Sequence, residues 1–530
     1  MSKVGMYILV TLALQATAIA APPRFVDVTA ASGIRLRTPD QPRRSPPMPH
    51  AVAVEDFDGD GLFDIIIASF GAPHVRYYRN EGKLRFADVT KGSGLETFRG
   101  AGTGACVADF DRDGRLDLYL SSLREGPSRL FRGVGQGRFE DVTERAGVLV
   151  ETSRSCAWSD VDGDGWVDLF VTRPHGPNRL FRNNGDGTFT DIAARAGVEL
   201  ADRRSLGCVF GDVDADGWDD LFVANYDSQI STLLINTGGG KFRDVTQRSG
   251  LARKASAVGC VFADVTNRGV LDLYVTTDSW LSGENYTEQQ LLGRGHTVQP
   301  NALYANDGRG KFKPLRTKNA GLDGYKSLAH DAILEDLDHD GRIDIYVAVD
   351  AESGNRFATS KGGNSLWTRS TTGAWREVSK EWAVRHEANC VCIPAADFDN
   401  DGDLDLLLVN FYSNAVLYRN ETNDKRWLRV KATGTTSNSD GIGARIKVFA
   451  VVGDRRNLVG MRQIQSGAGY GRCSPLEAHF GLGVSTADHY RVEVLFPGNR
   501  VPVVVDSVKA GQRIVVNEDV SPNNNKSSAP

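Results

Sequence analysis

Six nine-residue phrases in this sequence carry aspartate at positions 1, 3, 5 and 9 and glycine at position 6. The first is Asp56, Asp58, Asp60 and Asp64; the second is Asp109, Asp111, Asp113 and Asp117. The third is Asp160, Asp162, Asp164 and Asp168, and the fourth is Asp212, Asp214, Asp216 and Asp220. Asp336, Asp338, Asp340 and Asp344 form another, and Asp397, Asp399, Asp401 and Asp405 the last. Between the fourth and these two lies a degenerate copy, in which Asp264 and Asp272 remain but Thr266 and Arg268 replace the middle carboxylates. Four carboxylates held close repel one another unless a cation sits among them, and the glycine permits the sharp turn that makes them converge. An all-oxygen set, with a backbone carbonyl at position 7 and no nitrogen or sulfur, selects Ca²⁺. The expected cofactor is therefore calcium, one ion per intact loop, with Arg268 supplying the positive charge in the degenerate copy. An EF-hand shares the first half of the spacing but needs Glu at position 12, where this chain has Ile67, Leu120 or Val171 in strand-like sequence. A single copy would read as an ordinary Asp/Gly turn; six intact copies point to metal cages.

The elements that must position these loops follow from their spacing. The seven copies start at intervals of 53, 51, 52, 52, 72 and 61 residues, the mark of stacked supersecondary units. Residues 152–197 show one unit: Ser155–Trp158, the loop, Leu169–Thr172, Asn178–Asn183, the turn Asn184–Gly187, and Thr188–Ile192. These are four short strands separated by hairpin turns, with no helix long enough for a parallel crossover, so antiparallel sheets are expected. Seven such units predict an all-β fold, a seven-bladed β-propeller over residues 21–423. A solenoid is the rival. Against it, the outer-strand phrase aromatic-x-Asp-Val-Thr already occurs at Phe25–Thr29, before any loop, while only two strands follow the last loop. Pairing the spare N-terminal strand with the last blade would close the ring and remove an open edge.

Residues 424–518 read differently, with alternating apolar strands such as Arg445–Phe449 and Val501–Val505, and predict a small β-sandwich-like domain. Residues 519–530 read as a disordered tail. Met1–Ala20 reads as a signal peptide, with Lys3, the apolar stretch Met6–Leu14 and Ala18-Ile-Ala20. A membrane anchor is the alternative, but the stretch is short and no later one approaches a span, so a secreted or periplasmic chain without a transmembrane segment is expected. The net charge of −5 and the lack of Lys/Arg runs exclude a nucleic-acid face.

The loops resemble the FG-GAP/VCBS-type repeats of integrin α-subunit propellers. Trp427-Leu-Arg-Val, Asn438-Ser-Asp-Gly441-Ile-Gly443-Ala-Arg445, Ser466-Gly-Ala-Gly-Tyr470, His479-Phe-Gly-Leu-Gly483 and Pro497-Gly498 resemble the ASPIC/UnbV domain. The whole is similar to the cartilage-acidic-protein family and its bacterial relatives. Animal members add an EGF-like module, which is not found before the end at Pro530, so the bacterial-type branch is expected. The resemblance implies a secreted, calcium-dependent binding protein whose partner is an extracellular protein or glycan, and no defined reaction.

Cys106, Cys156, Cys208 and Cys260 precede successive loops, and read as small buried side chains rather than a thiol cluster lining the channel. Cys390-Val-Cys392 could form a strained local bridge, though such neighbours more often stay reduced or pair elsewhere. His50 and His330 occupy equivalent places, six residues before a loop, either as ligand groups at the channel mouth or as surface histidines. Gly441, Gly443, Tyr470 and Gly483 read as turn geometry and core. The insertion from Asp278 to Pro300, with Trp280, Tyr286, Glu288 and His296, is the expected ligand surface. Asn285-Tyr-Thr287 and Asn420-Glu-Thr422 match short glycosylation sequons. No G-x-S-x-G, H-E-x-x-H, P-loop or dinucleotide fingerprint occurs, which weakens an enzyme reading. The alternative to a recognition or adhesion protein is a secreted enzyme or biosynthetic accessory acting on polysaccharide or a secondary metabolite.

Overall fold

The computed structural model describes residues 25–36, 48–277, 300–315, 322, 329–349, 363–411, 413–484 and 487–518. The insertion at 278–299, the expected signal peptide at 1–20 and the expected tail at 519–530 lie outside the described residues. The fold is nearly all β. Four antiparallel strands make each repeat sheet, as in Cys156–Ser159, Asp168–Val171, Arg179–Asn183 and Phe189–Asp191, paired in that order. Four of the outer strands are followed by one helical turn, such as Ala193–Ala196, which stops at Gly197 in the left-handed conformation.

Seven such sheets form a ring. Their innermost strands neighbour one another in the order Met48–Glu55, Gly102–Ala108, Cys156–Ser159, Ser205–Gly211, Ala257–Ala263, Ala329–Glu335 and Cys390–Cys392, and the last returns to the first. The N-terminal strand Phe25–Asp27 pairs antiparallel with Val416–Asn420, with Phe25 opposite Asn420, and supplies the outer edge of the seventh sheet. The inner and second strands are buried on both faces, and so read as near-continuous apolar runs, for example Asp64–Phe70. Aromatic residues seal neighbouring sheets, as where Phe86 meets Phe398 edge to face at 5.7 Å.

The C-terminal residues form two sheets. Three strands, Ala478–Gly481, Trp427–Thr433 and Gln512–Asn517, face four, Arg455–Gln463, Arg445–Val452, His489–Leu495 and Val503–Val508. Alternation along Arg445–Phe449 and His489–Leu495 turns Ile446, Val448, Val492 and Val494 inward. This core is continuous with that of the second and third propeller sheets, through residues such as Tyr119 and Trp158.

Candidate metal centres and the filled channel

Every aspartate loop has the same internal logic. The position-1 carboxylate accepts backbone N–H groups from across the loop: Asp160 accepts from Gly163 at 2.8 Å, Asp164 at 3.1 Å and Gly165 at 2.9 Å. The position-9 carboxylate ties the loop to the sheet. Asp168 accepts from Val161 N at 3.0 Å and from Asn183 N, on the third strand, at 2.8 Å. Asp117, Asp220 and Asp405 repeat this pattern. Asn183 in turn donates to Phe110 O of the preceding sheet at 2.9 Å, and so stitches one blade to the next. The sharp turn uses two left-handed residues, at positions 4 and 6. Position 4 is often not glycine: Arg112, Ala215, His339 and Asn400 all have φ between 56° and 63°.

Carboxylate oxygens of positions 1, 3 and 9 come within 4.8 Å of one another in the second, third, fourth and sixth loops; in the first loop the set is Asp56, Asp58 and Asp60. Position 5 is the departure from the expected four-carboxylate cage. In the second loop Arg132 draws Asp113 aside, reaching Asp111 and Asp113 at 2.5 Å each. Arg182 holds Asp162 and Asp164 at 2.5 and 2.6 Å. At four of the six position-3 aspartates one oxygen nevertheless stays buried without a hydrogen-bond partner, Oδ1 of Asp111, Asp162, Asp214 and Asp399, whereas Oδ1 of Asp58 and Asp338 accepts from Asp60 N at 3.2 Å and Asp340 N at 3.1 Å. Such an atom costs about 1–3 kcal/mol unless something answers it. Hard oxygen donors converging around an unanswered carboxylate oxygen fit a hard divalent cation. In the degenerate loop Arg268 occupies this position itself, with Nη2 3.2 Å from Asp272 and Nε donating to Thr266 at 2.7 Å.

Electrostatics follow from this packing. Burial first, and then the neighbouring loop carboxylates, push Asp64, Asp160 and Asp340 up to about 7. Asp397 rises to about 7 and Asp212 to about 6, again mainly by burial, although Arg429 and Arg445 oppose it.

The C-terminal domain sits on the loop face. Ser439 donates to Asp109 at 2.9 Å and Asp440 accepts from Asp109 N at 2.5 Å. Arg429 reaches Asp397 at 2.6 Å, and Gln463 donates to Asp219 at 2.6 Å.

The same domain fills the propeller channel. The phrase Ser466–Tyr470, of which Tyr470 was expected to be turn or core, enters between the inner strands. Ser466 O accepts from Trp158 N at 3.0 Å, Gly469 N donates to Cys260 O at 2.9 Å, and Arg472–Cys473 pairs in parallel with Val52–Ala53. Small residues are required here. A Cβ at Gly467 would lie 2.2 Å from Cys156 O, and one at Gly469 would lie 2.0 Å from Asp331 Oδ1. Arg472 closes the insertion with a buried ion pair to Asp331 at 3.0 Å and a hydrogen bond to Ala332 O at 2.9 Å.

Residues 56–120, 118–171, 160–223, 212–275 and 336–408 match the family model described as FG-GAP-like repeat, and together they span more than half of the sequence. The chain belongs to the FG-GAP-like repeat family. Residues 434–523 match ASPIC and UnbV. Cartilage acidic protein 1 of Homo sapiens is 24% identical over 546 residues, covering 95% of this chain and 76% of that protein. The Mus musculus protein of that name is 24% identical over 555 residues, covering 91% and 75%. Solved structures of related shape include an Agrocybe aegerita lectin recognising non-reducing terminal N-acetylglucosamine, with TM-score 0.39, 19% identity, and 65% and 84% of the two chains covered. AofleA from Arthrobotrys oligospora gives TM-score 0.36 and 12% identity over 62% and 84%.

Within this FG-GAP-like chain, other expected sites resolve as follows. The seven cysteines are all buried and free, Cys390 and Cys392 included. His50 and His330 are not surface residues; they are 7% and 5% exposed. They gather at the channel end remote from the aspartate loops, around the Tyr470 ring, with centroids 6.4 and 5.1 Å from it. Arg154, 4% exposed, lies over the same ring at 3.8 Å. Sequence reasoning missed Arg154 and the domain-bridging Arg429 and Arg445, because no spacing rule links residues from distant repeats.

Proposed function

We propose that this is an extracytoplasmic, calcium-stabilised binding protein that holds a protein or glycan on the propeller face remote from its aspartate loops. Residues 1–20 act as a removed leader, 21–423 as the propeller and 424–518 as its companion domain. In the six intact loops the aspartates at positions 1, 3, 5 and 9 hold Ca²⁺, which supplies charge neutralisation and rigidity rather than chemistry. The observation that carries this reading is the recurrence of an unanswered, buried position-3 oxygen at Asp111, Asp162, Asp214 and Asp399.

The choice of face rests on occupancy. The loop face is covered by Ser439, Asp440, Arg445 and Arg429, and the channel is entered from that side by residues 466–473. The opposite face keeps partly exposed rings at Phe70, Phe411 and Tyr470. Rigid sheets presenting loops of this kind are the usual platform for recognition. Glycan and protein arrays, probed with and without chelator, test the proposal. Binding that needs calcium and is lost in Tyr470→Ala supports it; no binder, or binding indifferent to Tyr470, counts against it.

A further inference from the structure

Two histidines meet where the sixth aspartate loop touches the C-terminal domain. His339 comes from the loop and is fully buried; His479 comes from the strand Ala478–Gly481 and is 6% exposed. Their ring centroids are 5.2 Å apart. Each ring has one nitrogen committed to an oxygen. Nδ1 of His339 lies 2.9 Å from Asp424 Oδ1, a carboxylate that also accepts from Arg426 N at 2.8 Å, so Nδ1 carries the hydrogen. Nε2 of His479 lies 3.0 Å from the carbonyl of Gly402, which can only accept, so Nε2 carries the hydrogen. The remaining nitrogens of the neutral rings, His339 Nε2 and His479 Nδ1, are bare lone pairs. Both are buried and neither has a hydrogen-bond partner.

A carboxylate on one ring and a carbonyl on the other, each fixing the tautomer that frees the second nitrogen, is the arrangement that supports metal-binding histidines. Metal–nitrogen bonds of about 2.0–2.1 Å at a tetrahedral angle place two imidazole centroids about 5.2 Å apart, the spacing found here. The nearby guanidinium groups already face carboxylates: Arg429 pairs with Asp397 and Glu477 at 2.6 and 2.5 Å, and Arg462 lies 3.9 Å from Glu335.

We propose that His339 and His479 form a site for a borderline divalent ion of the Zn²⁺ or Co²⁺ type, distinct from the all-oxygen cages, which pins the C-terminal domain to the propeller. Imidazole nitrogen selects such ions over calcium, and water completes the coordination.

The test uses the full chain saturated with calcium and titrated with Co²⁺. One equivalent is expected to bind with the intense visible bands of a tetrahedral nitrogen-containing site, and Zn²⁺ should displace it. His479→Gln and His339→Gln should each abolish the bands while the calcium-dependent melting transition persists. No Co²⁺ binding above calcium saturation, weak bands of an all-oxygen site, or bands surviving in both variants would each overturn the proposal. The wild-type titration decides the matter even if a variant fails to fold.

Discussion

Arg445 Nη1 lies 2.5 Å from Asp212 Oδ2, so a residue of the C-terminal domain pairs with the first carboxylate of the fourth aspartate loop. Domain docking and loop charge are thereby one problem. Removing one partner of a buried pair typically costs about 3–5 kcal/mol, because a carboxylate is left uncompensated. Arg445→Met should therefore destabilise the calcium-free protein by an amount of that order, and the calcium-loaded protein by less, since the ion answers Asp212. Thermal melts of both proteins in chelator and in calcium check this; equal losses in the two conditions would show that the pair and the ion act independently.

Calcium should bind in six loops and not at the Arg268 copy. At 100 times the dissociation constant, each site adds about 2.7 kcal/mol of stability by mass action. Asp162→Asn should lower the stoichiometry by one, or weaken that site alone. Isothermal titration and metal analysis read the count; loss of all sites together in this variant would rule out independent cages.

Stability should depend on pH in opposite ways with and without the ion. Asp64, Asp160, Asp340 and Asp397 sit at about 7, against an ordinary aspartate value near 4. A carboxyl raised on folding favours the folded state while protonated. That contribution is full below about pH 4 and is lost as pH rises through about 7. The melting temperature in chelator should fall from pH 5 to pH 8. The gain on adding calcium should grow over the same window, because the ion requires ionised carboxylates. A chelator series flat in pH would contradict the burial argument.

The channel insertion should tolerate no side chain at its glycines. Gly467 and Gly469 have φ of 86° and 66°, and each faces backbone or carboxylate closer than a Cβ can approach. Gly469→Val should expel the segment, breaking Arg472 from Asp331, with a loss of at least 3 kcal/mol. Limited proteolysis between residues 464 and 474 would report it; a variant as resistant as the parent would refute the packing argument.

Ring closure should depend on the N-terminal strand. Phe25 is 2% exposed, Val28 N donates to Leu417 O at 2.9 Å, and Thr29 Oγ1 accepts from Leu417 N at 2.9 Å. Deleting residues 21–30 bares the edge of Val416–Asn420, and should produce aggregation visible by light scattering. A monomeric deletion variant with an unchanged melting temperature would mean that the seventh sheet closes without it.

The repeat period and the places where carboxylates gather were legible in the sequence. Aspartates at positions 1, 3 and 9 mark where oxygens converge in most loops, because local backbone geometry brings them together. Four short strands per repeat announce antiparallel sheets, because hairpin turns have residue signatures. What joins distant repeats was not legible. Asn183 bonding to the previous sheet and Arg445 reaching Asp212 are contacts across long sequence separations, which no local pattern encodes. The phrase Ser466–Tyr470 is the clearest case. Its glycines look like turn residues locally, yet their absent side chains serve a close approach to Cys156 O and Asp331. Only the ring's closure creates that channel, and only the docked C-terminal domain brings the segment to it. Likewise His339 and His479, 140 positions apart in the chain, become neighbours because two domains, each folded by its own local rules, bury a shared surface.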